Sequence, residues 1–97
     1  MLVMFLSMLE AEEDQRRFTK LFEAHEKKVY AVALHILGNR EWAEDAAQQT
    51  WLKLVQNWER VSALPWEETE GYVVTVGKNA ALDILRSERK LAAFPEN

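Results

Sequence analysis

Cysteine is absent from this 97-residue chain, and glycine and proline are scarce, with three and two residues. The absence of cysteine excludes disulfides and thiol chemistry and fits a reducing cytoplasm, where we expect the protein. The glycines are isolated, which excludes a glycine-rich loop that cradles a phosphate. The one long apolar run, MLVMFLSML, is shorter than the ~20 residues that span a bilayer. It also lacks a basic flank and a small-residue cleavage site, so we expect neither a signal peptide nor membrane insertion.

An excess of positive charge is also missing. Twelve basic and 16 acidic residues give a net charge of −4, which argues against a protein that holds nucleic acid by charge alone. Residues 71–97 differ, because they carry four basic and three acidic residues, with Arg86, Arg89 and Lys90 within five positions. A small positive end on an acidic body can touch phosphates locally, but most of any DNA affinity must then come from another partner.

The sequence contains no recognisable catalytic or metal-binding set. His25 and His35 are ten residues apart, a spacing that does not place two metal ligands on one face of a straight helix. We therefore expect no enzyme activity, no cofactor and no metal, and we expect a function in binding. A small helical enzyme or a regulatory ligand-binding domain is the alternative class. His25 lies on an apolar stripe, where we expect it at the edge of the core.

Helical periodicity runs along most of the chain. Apolar residues three and four apart predict a first long helix that ends at Gly38. Asn39 is a good N-cap for a second helix, which runs to about Trp58. Residues 60–71 contain a proline, a glycine and several acids, so they predict a loop with one short turn. The helical pattern then returns over residues 72–91.

These segments predict an all-α fold, a compact bundle of three main helices with a short additional helix at the N-terminus. We expect an apolar and acidic lead-in over residues 1–17, one helical domain over 18–91, and the start of a linker or tail over 92–97. Trp51 and Trp58 lie on the core side of the second helix. The apolar run at the start is expected to pack on the domain, and the alternative is a strip that binds another subunit.

The second helix displays a leucine on its polar side. At about 100° per residue, Leu52 falls away from Trp51 and Leu54, which share the apolar side. Its neighbours on the polar side are carboxylate and amide residues: Asp45, Gln48, Gln49 and Gln56. An apolar centre within a polar rim is typical of a protein–protein interface. The ordinary alternative is a solvated face with one exposed leucine.

The outward side of the last helix carries basic and amide side chains on two neighbouring stripes. Arginine and asparagine hydrogen-bond base edges and phosphates. Trp66 and Tyr72, ahead of this helix, offer rings that stack on unpaired bases. The ordinary alternative is a network of ion pairs along a solvated helix, with Trp66 folded onto the core.

The order of these segments resembles the second conserved region of bacterial sigma factors. The helix AEDAAQQTWLKL is followed by a segment with tryptophan and proline and then by GYVVTVGKNAALDILRSERK. The lead-in FTKLFEAHEKKVYAVALHILGN is similar to the first helix of that family. The resemblance is greatest to the extracytoplasmic-function group, and it covers about residues 18–90.

The resemblance implies a domain that binds core RNA polymerase, at the clamp helices of its largest subunit. It also implies recognition and melting of the minus-ten promoter element, with the non-template strand held unpaired. An anti-sigma factor is a further expected partner. The implied polymerase contacts lie on the second helix: Asp45, Gln48, Gln49, Thr50, Leu52 and Lys53. The implied DNA contacts lie in the loop over residues 62–71 and on the last helix: Trp66, Tyr72, Lys78, Asn79, Asp83, Arg86, Arg89 and Lys90. The alternative for Asn79 and Asp83 is a structural role, in which they cap and orient the loop.

Some features depart from the family pattern. The family often has glutamate at Gln49, arginine at Lys78 and tryptophan at Tyr72, and its basic tail is usually denser. Glu67, Glu68 and Glu70 would repel phosphates near the reading loop. These departures support an alternative, a degenerate sigma-like interaction module that binds polymerase or an anti-sigma factor without recognising DNA.

Overall fold

The computed structural model describes residues 2–93, those after Glu88 by their backbone alone, and contains five helices in that range. They are α1 (Leu2–Leu6), α2 (Glu12–Leu37), α3 (Arg40–Gln56), α4 (Trp58–Ser62) and α5 (Trp66–Ala93). The helices α2, α3 and α5 form the bundle, and α1 is the short additional helix. The all-α expectation is therefore confirmed. Residues 94–97 of the expected tail lie outside the described residues.

The junction between α2 and α3 is built by two residues. Gly38 adopts a left-handed φ of 64° and its N–H donates to the Leu34 carbonyl at 2.7 Å, which ends α2. The Asn39 side chain then accepts from the Trp42 N–H at 3.0 Å, which satisfies one free donor of the first turn of α3. Both expectations from the sequence are confirmed, and the short connection turns α3 back against α2.

The prediction of a loop over residues 60–71 is wrong. The second helix ends at Gln56, α4 covers Trp58–Ser62, and α5 already begins at Trp66, so only residues 63–65 are non-helical before it. Pro65 precedes the first turn of α5, a place where its fixed φ and missing N–H are tolerated. Glu67 and Glu68 lie in that first turn and stabilise it through the helix dipole. Gly71 is therefore an interior helical residue.

The helices α2 and α5 run parallel, and α3 runs antiparallel to both. Contacts along α2 meet successive positions of α5, since His25 approaches Thr69 and Val29 approaches Gly77. The three helices approach one another closely at Gly77, because a Cβ added there would lie 3.2 Å from Val29 Cγ1 and 3.5 Å from Thr50 Oγ1. A glycine at this point allows the three backbones to pack closely.

Aromatic rings fill one end of the core. The Phe18 ring lies 6.0 Å from Trp51 and 5.7 Å from Trp58, in edge-on arrangements that aromatic pairs prefer. Phe5 of α1 adds another ring, 6.1 Å from Phe18. The Gln15 side chain donates to the Leu9 carbonyl at 2.7 Å and holds the end of this segment. The apolar run therefore packs on the domain, as expected.

Alanines fill the other end of the core. Ala33 of α2, Ala43 and Ala46 of α3, and Ala80 and Ala81 of α5 are all fully buried. Small side chains let helices approach closely. Among the described helices, none is both long enough and apolar enough to cross a membrane.

Candidate protein-binding and nucleic-acid-binding surfaces

The outward side of α3 carries most of the residues that the sequence indicates for polymerase binding. Asp45, Gln48 and Gln49 are exposed, and Leu52 retains 36 % of its surface in their midst. Lys53 is half-buried at the margin. We call Asp45, Gln48, Gln49, Leu52 and Gln56 the α3 stripe. Leu52 is therefore exposed, and the prediction that it lies on the polar side of this helix is confirmed.

Thr50 does not belong to this surface. It is fully buried, and its hydroxyl donates to the Ala46 carbonyl at 2.7 Å. That bond within the helix satisfies the only polar group of the side chain, so a threonine can face Gly77 of α5 inside the core. The expectation that Thr50 contacts a partner is therefore corrected, since a fully buried side chain offers a partner no surface.

An apolar groove lies between α2 and α3 on one side of the α3 stripe. Phe22 and Trp51 form its floor, with ring centroids 4.8 Å apart, and Tyr30 and Ala47 extend it. Its charged lining comes from both helices: Glu26, Lys27 and Glu44. Sequence reasoning missed this groove because its residues come from two helices, and only their packing brings them together.

A polar groove lies between α3 and α5 on the other side of the stripe. Asp45 and Gln49 line it from α3, and Asp83 and Ser87 line it from α5. The groove thus connects the two surfaces that the sequence indicates separately. One partner crossing it would touch both.

The outward face of α5 presents Lys78, Asn79, Asp83 and Arg86, all exposed. Arg86 Nη1 lies 3.2 Å from Asp83 Oδ1, an exposed ion pair one helical turn apart. Such pairs are weak, so Arg86 can exchange Asp83 for a phosphate. The side chains of Arg89 and Lys90 lie outside the described residues.

Trp66 lies at the start of α5 rather than in a loop. Its ring stacks on the His25 ring, with centroids 5.8 Å apart and planes 27° apart, and the Lys20 ammonium lies over it at 4.5 Å from the centroid. Trp66 still exposes 38 % of its surface, so the ring is not folded fully onto the core. Tyr72 is half-buried and packs against the aromatic core. Sequence reasoning missed Lys20 and His25 as neighbours of Trp66.

His25 lies at the edge of the core, as expected, and fixes the first turn of α5. The Thr69 hydroxyl donates to the Trp66 carbonyl at 2.6 Å, so His25 Nε2, 3.3 Å away, donates to Thr69 Oγ1. The other ring nitrogen, Nδ1, is buried without a hydrogen-bond partner among the described residues. Burial lowers the pKa of His25; Glu70 opposes this change and Lys28 adds to it.

The acidic residues around Trp66 are partly compensated by α2. Lys28 Nζ lies 3.1 Å from Glu70 Oε1, whereas Glu67 and Glu68 are exposed in the first turn. Within the part of the chain that the structure describes, no three acidic or histidine side chains are grouped so that they could hold a metal ion.

Comparison with known proteins gives one family. A family model described as sigma-70 region 2 matches residues 21–91, a segment that contains α3, α4 and most of α2 and α5. No curated protein and no solved structure matches the chain.

Proposed function

Because this chain belongs to the sigma-70 region 2 family, we propose that it is the domain of an extracytoplasmic-function sigma factor that docks on the polymerase through α3 and opens promoter DNA through α5. At the level of the family, region 2 is a non-enzymatic domain of transcription initiation that binds RNA polymerase and melts the promoter. To this role of the family, the proposal adds the extracytoplasmic-function subgroup, the surfaces on α3 and α5, and the residues that make the contacts.

The observation that carries the proposal is the exposed Leu52 at the centre of the α3 stripe. A leucine with amides and a carboxylate around it can bury an apolar contact while its rim stays hydrated. We place the clamp helices of the largest polymerase subunit on this stripe. The contacts are Asp45, Gln48, Gln49, Leu52 and Lys53, without Thr50.

The DNA side of the proposal rests on α5. Lys78, Asn79 and Arg86 point outward from a helix that is otherwise anchored in the core by Val73, Ala80 and Ala81. We assign these three residues to the minus-ten element, together with the other implied DNA contacts: Trp66, Tyr72, Asp83, Arg89 and Lys90. The net charge of −4 fits this arrangement, because the polymerase then supplies most of the DNA affinity and the free domain stays off non-specific DNA.

Two further parts of the proposal follow from the subgroup. Such a domain works in the cytoplasm, where polymerase and promoter are found. An anti-sigma factor is expected to compete for the same surfaces, and the grooves on both sides of the α3 stripe support this because they offer contacts beyond the stripe.

The experiment that tests the proposal is capture of bacterial core RNA polymerase by the full chain and by Leu52→Asp. We expect the wild type to retain polymerase and the variant to lose at least tenfold in affinity, because the charge would be desolvated at the centre of the interface. Normal capture by Leu52→Asp would show that α3 is not the docking surface.

The matched control is Leu34→Asp on α2. Leu34 exposes 37 % of its surface, nearly the same as Leu52, but lies outside the proposed contacts. The same chemical change there should leave capture intact. Equal loss in both variants would mean that a new surface charge, and not the site, impairs binding.

The alternative function is a sigma-like interaction module that does not read DNA. The exposed Glu67 and Glu68 beside Trp66 favour it, because they repel phosphate. Retention of a single-stranded non-template oligonucleotide by the captured complex separates the two functions. The alternative predicts that the complex binds no more of this strand than the core enzyme alone does.

A further inference from the structure

We propose that Arg17 of α2 is a positioning residue for promoter opening, because its guanidinium fixes the chain that connects α4 to α5. Arg17 Nη2 donates to the Leu64 carbonyl at 3.0 Å, and the two residues are 47 positions apart in the sequence. The inference rests on the proposed function, in which α5 holds the opened strand. Arg17 itself lies before residues 21–91, the segment that the family model matches.

The connection between α4 and α5 is short and non-helical, since only residues 63–65 lie between the two helices. Pro65 has no N–H and therefore cannot donate a backbone hydrogen bond. The Leu64 N–H donates to the Val61 carbonyl at 3.2 Å, a bond that stays within the end of α4. Among the hydrogen bonds of the described residues, the one from Arg17 joins this connection to α2.

The start of α2 holds both α4 and the residues that follow it. Arg17 is half-buried, and the neighbouring Phe18 is fully buried with its ring 5.7 Å from that of Trp58 in α4. A hydrogen bond from a charged donor is stronger than one between neutral groups. A cation is also favourable just beyond the C-terminus of a helix, where Leu64 lies.

An ordered connection lowers the cost of holding DNA on α5. If residues 63–65 could change their φ and ψ angles, this conformational entropy would be lost when DNA binds. A connection that is ordered during folding does not lose it again at that step. Arg17 fixes the chain just before the first turn of α5, and His25 holds Thr69 near the end of that turn.

The test measures how tightly the complex of the full chain with core polymerase binds a mixed-sequence single-stranded oligonucleotide. We expect Arg17→Met to weaken this binding by about 5- to 30-fold, which corresponds to the ordering of one backbone residue. Capture of polymerase should not change, because the α3 stripe is not altered. Equal affinities for Arg17→Met and the wild type would overturn the proposal.

The salt dependence of the affinity separates positioning from a direct contact. If Arg17 touched a phosphate, Arg17→Met would lower the slope of log affinity against log salt by about 0.7. Positioning predicts weaker binding with an unchanged slope, because the guanidinium stays on the Leu64 carbonyl. A lowered slope would show that Arg17 binds DNA itself, and the positioning role would be wrong.

Two variants serve as matched controls. Arg16→Met makes the same change of charge at the adjacent position, where Arg16 is exposed and lies 3.9 Å from Glu12. Gly38→Ala strains the α2–α3 junction, where φ is 64°, and so lowers stability away from the connection. Both should bind the oligonucleotide like the wild type. A loss in either control equal to that in Arg17→Met would attribute the effect to charge or to stability and overturn the proposal.

Hydrogen exchange in the free chain tests the ordering itself. The N–H groups of Leu64 and Glu68 donate to backbone carbonyls around the connection, and we expect both to exchange faster in Arg17→Met. The Ala43 N–H, which is bonded at the α2–α3 junction, is the internal reference and should not change. Unchanged exchange at Leu64 and Glu68 would show that Arg17 does not order the connection.

The outcomes also separate this inference from the proposed function. Failure of the wild-type chain to capture polymerase overturns the docking, and a wild-type complex that binds no more oligonucleotide than core polymerase alone overturns the DNA contacts. In both cases the role of Arg17 in promoter opening falls as well, while hydrogen exchange still decides whether it fixes the connection. Normal wild-type capture and binding, with no loss in Arg17→Met, overturns the positioning role alone.

Discussion

Thr50 and Leu52 are two residues apart on α3, but Thr50 is buried and Leu52 is exposed. The polar threonine is buried because its hydroxyl bonds the Ala46 carbonyl within the helix. The apolar leucine is exposed because the helix places it among Asp45, Gln48 and Gln56. At the scale of the residue, polarity alone would therefore predict that Thr50 is exposed, which is wrong. The angular position around the helix predicts the burial of both residues correctly.

His25 should make the free energy of unfolding depend on pH. Burial lowers its pKa in the folded state, so the unfolded chain binds the proton more readily. The neutral ring stabilises the fold above the unfolded pKa of about 6.5, and this contribution is lost as the pH falls from there through the folded pKa. We expect urea unfolding to show that wild type loses stability between pH 7.5 and pH 5 relative to His25→Phe.

The control for this effect is His35→Phe. His35 is exposed near the end of α2, and the same replacement there removes a histidine without removing a buried ring. A pH-dependent difference of equal size in both variants would contradict the assignment to His25.

At the scale of the element, the end of α2 and the start of α3 could be predicted and the start of α5 could not. Gly38 and Asn39 act through their own backbone and side chain, so the local sequence is sufficient. Pro65 and Gly71 are residue types that usually end helices. Pro65 precedes the first turn of α5, and Gly71 lies within this long helix, which packs on α2 and α3. Tertiary packing thus overrides the low helix propensity of glycine.

Gly38 and Gly71 should respond in opposite ways to alanine. Gly38 has a φ of 64°, which an L side chain rarely adopts, so Gly38→Ala should destabilise by about 1 kcal/mol. An added Cβ at Gly71 meets no atom within 4 Å, so Gly71→Ala should stabilise by about 0.5–1 kcal/mol through helix propensity. Urea unfolding measures both, and a loss of stability in Gly71→Ala would contradict its interior helical position.

At the scale of the whole molecule, α1 closes the aromatic end of the core. Phe5 is buried against Phe18, whereas Val3 on the same helix exposes 77 % of its surface. Phe5→Ala should therefore destabilise the fold by about 3 kcal/mol, the lower end for such a substitution, because a short terminal helix can relax. Thermal or urea unfolding measures the loss. Val3→Ala is the control and should leave stability within about 0.5 kcal/mol.

The whole molecule also sets the separation of the candidate DNA contacts. Trp66 and Arg86 are twenty residues apart on α5, which is about 30 Å along a helix. The two proposed contacts therefore meet different parts of a bound DNA. The α3 stripe lies near the Arg86 contact, since Asp45 and Gln49 share a groove with Asp83 and Ser87, whereas Trp66 lies against His25 and Lys20 of α2.

The sequence by itself determined the helical class, the α2–α3 junction, the core side of Trp51 and Trp58, and the exposure of Leu52. These features depend on residues that are close in the chain, where periodicity and capping act. Only the tertiary structure decided that α1 covers Phe18, that Thr50 faces Gly77, and that Lys20 and His25 meet Trp66. These contacts join residues separated by 13 to 46 positions in the sequence, and no local pattern specifies which side chains the packing of α2 against α5 brings together.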